Sequence, residues 1–214
     1  MNSLHLSHLC PEIFQSRADL QSEIWKQEVV LEKGKIYLIE AMSGTGKSSL
    51  CSYLSGYRND YTGTLSFDHE DTKHLSVSQW SEIRKMHISH LYQDLRLFPE
   101  LTAFENVEIK NKLTHHTSEK QIDEWLDFLG IIDKRDTLVG RMSFGQQQRV
   151  AMIRALVQPF DFLLADEPVS HLDDHHARLM AQLMTEEVKA RQAGAIVTSI
   201  GKRMPVNYDR ILKL

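Results

Sequence analysis

Ile36-Tyr37-Leu38-Ile39-Glu40-Ala41-Met42-Ser43-Gly44-Thr45-Gly46-Lys47-Ser48 is the most informative stretch of the chain. Its first four residues are a short apolar run of the kind buried on both faces of a parallel sheet. Small residues follow, and after Ser48 begins a helix with Leu50, Cys51 and Leu54 on one face, closed by Gly56. A strand, a small-residue loop and a helix in that order let backbone N–H groups converge on one phosphate, with the positive helix end behind them. Ala41, Met42, Ser43, Gly44, Thr45, Gly46, Lys47, Ser48 and Ser49 are therefore the candidate nucleotide-binding residues. Lys47 would reach the β- and γ-phosphates and the Ser48 hydroxyl would bind Mg2+. Ala41 stands where such loops usually have their first glycine, which the turn accepts if φ stays negative there. The plain alternative is a Ser/Gly turn with Lys47 in solvent.

A second segment pairs with the first. Phe162-Leu163-Leu164-Ala165-Asp166-Glu167-Pro168 reads as a buried strand delivering two carboxylates at its C-terminal end, where ligands sit in open α/β sheets. Asp166 would hold Mg2+ through water, and Glu167 would polarise an attacking water. Alone, Asp-Glu-Pro at a strand end is also a common turn.

Outward from these segments the chain reads as an α/β body with a helical insert. Strands are expected near Leu4–Leu6, Ile24–Leu31, Thr62–Phe67 and Ile88–Tyr92. Between Gln93 and Val157 the composition turns helical. Ser118-Glu119-Lys120-Gln121 fits a capping box ahead of Ile122, Trp125, Leu126 and Leu129, and Ser143 can cap a helix stopped by Pro159. Asp173–Arg191 reads as a long helix, followed by strands at Ala195–Thr198 and Ile211–Leu214.

Composition narrows the function classes. With 214 residues the chain suits one domain, and a net charge of −4 argues against a nucleic-acid partner, whose usual footprint is a basic face. Its longest apolar runs, such as Phe162–Ala165, fall far short of the roughly 18 residues needed to cross a bilayer. Cys10 and Cys51 are too few for a disulfide scaffold, and no secretory signal is visible at Met1-Asn2-Ser3, so a reduced, cytoplasmic protein is expected. The histidine pairs His115-His116 and His175-His176 lack a spaced partner set, so no metal other than Mg2+ is expected. Trp25, Trp80 and Trp125 read as packing residues.

Tyr92-Gln93-Asp94, Ser143-Phe144-Gly145-Gln146-Gln147-Gln148-Arg149, Leu163–Pro168 and Ser170-His171-Leu172-Asp173 follow the phosphate loop in the order found in the ABC ATPases. The chain resembles that family over nearly its whole length. Leu97-Phe98-Pro99-Glu100-Leu101-Thr102-Ala103-Phe104-Glu105-Asn106-Val107 looks most like its lipoprotein-releasing, macrolide-export and cell-division branch. The resemblance implies a P-loop NTPase fold: a RecA-like core with an antiparallel β subdomain in residues 1–93 and 156–214, and a helical subdomain in 94–155. It implies ATP and Mg2+ as ligands and a head-to-tail pair of ATP-binding chains, as homodimer or heterodimer. Ser143, Gly145 and Gln146 of one chain would then face the γ-phosphate held by the other. Gln93 would contact Mg2+ and the water, and Asp173 would link the two sites. The helical insert would dock on transmembrane permease subunits, placing the chain on the inner face of the cell membrane.

Three departures stand out. The family signature usually reads Leu-Ser-Gly-Gly-Gln, whereas this chain has Met142-Ser143-Phe144-Gly145-Gln146. The switch histidine is replaced by Ser199, which is short and neutral. No clear adenine-stacking aromatic precedes the phosphate loop, Phe14 being the best candidate. The expectation is thus an ATP-hydrolysing subunit of a transporter, slow or dependent on a partner chain. The alternative is a regulatory module that clamps a membrane partner and hardly turns over.

Overall fold

Two kinds of strand build two sheets. The computed structural model describes residues 1–17 and 20–214. Its elements are β1 (Ser3–Pro11), β2 (Glu28–Glu32), β3 (Ile36–Glu40), α1 (Lys47–Leu54), β4 (Tyr61–Phe67), β5 (Glu70–Asp71), α2 (Val77–Met86), β6 (Ile88–Leu91), α3 (Ala103–Asn111), α4 (Glu119–Phe128), α5 (Phe144–Leu156), β7 (Phe162–Asp166), α6 (Asp174–Ala190), β8 (Gly194–Ser199) and β9 (Arg210–Lys213). Strands β1, β2 and β4 alternate in polarity or nearly so, and with β5 they form an antiparallel sheet in the order β2-β1-β4-β5. Strands β7 and β8 are buried at every position. They lie in a five-stranded parallel sheet ordered β6-β7-β8-β3-β9.

Period-two packing divides the core between the two faces of that parallel sheet. Leu38, Leu163, Ala165, Ala195 and Val197 join one buried cluster with the helical segment and α6. Tyr37, Ile39, Phe162, Leu164 and Ile196 join the other, with α1 and the antiparallel sheet. Each fully buried large apolar side chain contributes roughly 1.5–3 kcal/mol relative to exposure, so the strands that carry the site are firmly anchored on both faces.

The antiparallel sheet holds one irregularity. Register slips in β1 between Ser7 and Cys10, and His8 takes φ +48. Opposite it, a Cβ on Gly63 would lie 2.4 Å from the His8 carbonyl, so only glycine fits that approach.

Some expectations shift. The strand expected over Ile24–Leu31 begins only at Glu28, because Lys26 takes φ +62 and interrupts the extended chain. Helix α2 is an addition: only Trp80 and Ile83 pack inward from it, so its apolar stripe is faint, while Ser76 and Gln79 form a capping box at its start. At α4 Ser118 accepts from the Gln121 amide at 3.2 Å, but no return bond from Gln121 forms, leaving half of the expected box. A full box instead closes the start of α5, between Ser143 and Gln146.

Candidate functional site

The C-terminal ends of β3, β6, β7 and β8 meet along one edge of the parallel sheet, and the site lies there. From β3 the chain turns through residues 41–46 into α1. The Ala41 amide donates to the Ser199 carbonyl at 3.0 Å, and Ala41 is absent from the left-handed region, so its side chain is accommodated where glycine is usual. Gly44 (φ +81) and Gly46 (φ +97) take the two left-handed turns. Thr45 bonds back to the Met42 carbonyl, and the Trp25 indole donates to the Thr45 carbonyl at 2.8 Å, bracing the loop from outside. Among the described residues no side chain caps the start of α1 at Gly46, which leaves the first helical amides available to an anion.

Lys47 is the hub. Its side chain is 6% exposed and donates to Asp166 at 2.9 Å, to Gln93 at 3.1 Å and to Glu167. Burial alone would lower its proton affinity, but the hydrogen bonds and charges of Glu167 and Asp166 outweigh it and hold the ammonium above its ordinary value. Thr198 on β8 donates a further hydrogen bond to Asp166. Glu167 sits at φ +50, a conformation costing a non-glycine residue on the order of 1–3 kcal/mol. The surroundings fix it there. Its amide donates to the Thr198 carbonyl at 3.2 Å, and its own carbonyl accepts from Gln148 Nε2 at 3.2 Å and from Ser170.

Ser48, Gln93 and Asp166 offer oxygen donors beside the loop, a hard set suited to Mg2+. Ser48 is exposed and lines one cavity with Gln93 and Asp166, and the α1 start carries no side-chain cap, so a phosphate and its metal fit the groups present. Ser49 is directed elsewhere: it is buried, and its hydroxyl accepts from Arg58 at 3.1 Å.

Two further expected site residues do not serve as anticipated. Phe14 is 3% exposed, lies in the core cluster beside Gly46 and Trp25, and carries the Arg17 guanidinium 4.6 Å from its ring centroid. It packs the loop from below and presents no free face for an adenine to stack on. Ser199 is also buried. Its hydroxyl donates to the Lys202 carbonyl at 3.0 Å and accepts from the Gly201 amide at 3.2 Å, so it closes a local turn and points no donor at the site.

The signature residues are placed apart from the phosphate loop. Ser143 and Gln146 cap α5, and Gly145 lies against Leu172, where a Cβ would come within 3.2 Å. Among the described residues no hydrogen bond joins Ser143, Gly145 or Gln146 to residues 41–49. Phe144 is 44% exposed and meets His171 edge-on, centroids 4.6 Å apart. Asp173 caps α6, and its bonds from the His176 amide and ring hold its carboxyl down at about 2. Sequence reasoning missed Trp25, Thr198 and Gln148 as supports. A buried threonine ending an apolar strand was the one available signal for Thr198.

The sequence model of one family, described as ABC transporter, matches residues 26–170. The macrolide export ATP-binding/permease protein MacB of Shewanella sp. (strain W3-18-1) is 30% identical over 96% of this chain, which spans only 32% of that protein. The lipoprotein-releasing system ATP-binding protein LolD 1 of Chlorobium chlorochromatii is 32% identical over 92% of this chain and 81% of its own length. In fold, the chain is similar to the solved dimeric post-hydrolysis state of the ATP-binding cassette MJ0796 bound to ADP and Pi, with TM-score 0.77, 24% identity, and coverage of 92% of this chain and 87% of that one. Motif order, site geometry and these likenesses agree: the chain belongs to the ABC transporter family.

Proposed function

We propose that this chain is an ATP-binding, ATP-hydrolysing subunit that drives separate membrane-spanning subunits, of the lipoprotein-release and macrolide-export type. The observation that carries this reading is the convergence of Lys47, Gln93, Asp166 and Glu167 under an uncapped helix start. In it the loop amides of residues 42–49 hold the β-phosphate, and Lys47 exchanges its carboxylate partners for β- and γ-phosphate oxygens. That exchange frees Glu167, kept in place by its fixed backbone, to orient and polarise the attacking water. Ser48, Gln93 and Asp166 would hold Mg2+, which supplies neutralisation of charge on the β- and γ-oxygens. Ser143, Gly145 and Gln146 of a second ATP-binding chain would complete the anion site, a helix N-terminus meeting the γ-phosphate.

Residues 1–93 and 156–214 form the nucleotide-binding core in this reading, and residues 94–155 the helical subdomain that touches the membrane subunits. A groove of about 340 Å³ between them supports this, with exposed Tyr57, Phe98, Ile109 and Leu113 along it. Among the described residues no helix is long and apolar enough to cross a membrane, so the attachment we propose is peripheral, on the inner face. Phe144 and Ser199 favour the second reading, a clamp that binds ATP and hardly hydrolyses it. Co-purification of the tagged chain from membranes, followed by phosphate-release assays with and without Glu167→Gln, separates the two. Turnover abolished by Glu167→Gln supports the first reading, and equal residual turnover in both supports the clamp.

A further inference from the structure

We propose that Cys51, His90 and Asp166 form a binding site for a dication of the zinc class, next to the position assigned to Mg2+. One donor atom from each residue lies within 4.8 Å of the other two. They come from three elements, α1, β6 and the end of β7, so nothing local in the sequence groups them. A thiolate, an imidazole and a carboxylate make a set that favours Zn2+ or Co2+ over Mg2+, which takes oxygen donors. Metal–donor bonds of about 2.0–2.3 Å put tetrahedral donors about 3.3–3.7 Å apart, so side-chain shifts of around an ångström close the set.

A second observation points the same way. Among the described residues the buried Nε2 atom of half-buried His90 has no hydrogen-bond partner, an arrangement that buried ring nitrogens rarely show. The ring is held on both sides: it stacks on Tyr92 with centroids 3.9 Å apart, and Nδ1 bonds the Ser55 hydroxyl at 3.1 Å. With the proton on Nδ1, the Nε2 lone pair is the free ligand, and Ser55 orients it as outer partners orient metal-bound histidines. A cavity of about 440 Å³ is lined by Cys51, His90 and Asp166 together with the exposed Ser48 and Gln93, so an ion has a way in beside the three residues. On binding, the Cys51 thiol releases its proton to solvent.

Asp166 gives the site a consequence that rests on the proposed ATPase reading. Lys47 and Thr198 both bond Asp166 Oδ1, leaving Oδ2 for the ion, and a zinc-class dication there competes by charge with Lys47 and Mg2+ for the same carboxylate.

The test titrates the reduced, full-length chain with Co2+ as probe and follows thiolate-to-cobalt charge-transfer and tetrahedral ligand-field absorption. One equivalent per chain, displaced by Zn2+, is expected. Cys51→Ser and Cys51→Ala lose the charge-transfer band, Cys10→Ser keeps it, and His90→Phe weakens binding by more than the about 10–100-fold typical of an outer partner. No charge-transfer band in the wild-type chain, or an unchanged one in Cys51→Ser, overturns the site. A fluorescent ATP analogue then reads the sharing of Asp166: Zn2+ is expected to weaken its Mg2+-dependent binding, and unchanged affinity refutes the sharing. A chain that takes Co2+ but never binds the analogue overturns the ATPase reading and leaves the metal site standing.

Discussion

Replacing Phe144 with glycine gives two opposed effects that can be read separately. The ring is the first residue of α5, is 44% exposed, and meets His171 edge-on at 67°. Losing an aromatic pair of that geometry costs about 0.5–1.5 kcal/mol. Glycine in place of a side-chain-bearing residue at this first helical position adds up to about 0.5–1 kcal/mol, the cost in a helix interior. Together that is about 1–2.5 kcal/mol, and at roughly 2–4 °C per kcal/mol for a chain of this size the melting temperature falls by about 2–10 °C. Association moves the other way. The ring stands at the helix start that would receive the γ-phosphate held by a second chain, so its removal is expected to tighten ATP-dependent dimers about tenfold, ~1.4 kcal/mol. Circular-dichroism melts without nucleotide measure the first effect, and sizing with MgATP in a Glu167→Gln background measures the second. A lower melting temperature with an unchanged sizing profile refutes the idea that Phe144 obstructs the composite site. An unchanged melting temperature refutes the packing against His171.

Three further outcomes follow from the same geometry. Gly46→Ala places a Cβ 2.9 Å from Phe14 and 3.1 Å from Trp25 at φ +97, so urea unfolding should show a loss of at least ~1–2 kcal/mol, with nucleotide binding abolished. Ser199→Ala removes two turn hydrogen bonds and should cost about 1 kcal/mol of stability. Its ATP turnover should stay near wild type, and a fall approaching the roughly 10²–10³ of a lost catalytic donor would give Ser199 a chemical role after all. Burial raises the Asp161 carboxyl, but bonds from Lys33, the Met1 amine and His87 outweigh it and bring it from 3.8 to about 2. At about 1.36 kcal/mol per pH unit that corresponds to ~2 kcal/mol of stability. Because the folded value is depressed, the contribution is present above pH 3.8 and disappears as pH falls through about 2. Melts of Asp161→Asn should therefore lie below wild type at neutral pH and converge with it near pH 2; a gap that persists in acid contradicts this.

The sequence made the parallel sheet legible because β3 and β7 are short apolar runs, each followed by polar groups of one distinctive chemistry. The same logic failed where one residue type serves two ends. An aromatic ahead of the phosphate loop can face a base or pack beneath the loop, and only the depth of Phe14 under Gly46 and Trp25 decides between them. Ser199 looked like a shortened switch residue because its partners, the Lys202 carbonyl and Gly201 amide, belong to a turn that side-chain pattern does not encode. Helix α2 hid because two inward residues, Trp80 and Ile83, make too narrow a stripe to stand out. Adjacent histidines such as His115-His116 are a local pattern and carry no ligand geometry. Cys51, His90 and Asp166 lie far apart in the chain and meet only because α1 and the parallel strands converge at one sheet edge.

Glu167→Gln isolates the hydrolytic step, with ATP affinity and steady-state phosphate release measured on the same preparation. The change removes only a carboxylate that Lys47 exchanges for phosphate in this reading, and leaves the Lys47 side chain and the loop amides in place, so ATP should bind at least as tightly as to wild type. Phosphate release should fall by about 10²–10⁴, the contribution of a positioned general base. Wild-type turnover in Glu167→Gln would contradict the assignment of Glu167, and with it the account of Lys47 and its carboxylates as an ATP-hydrolysing centre.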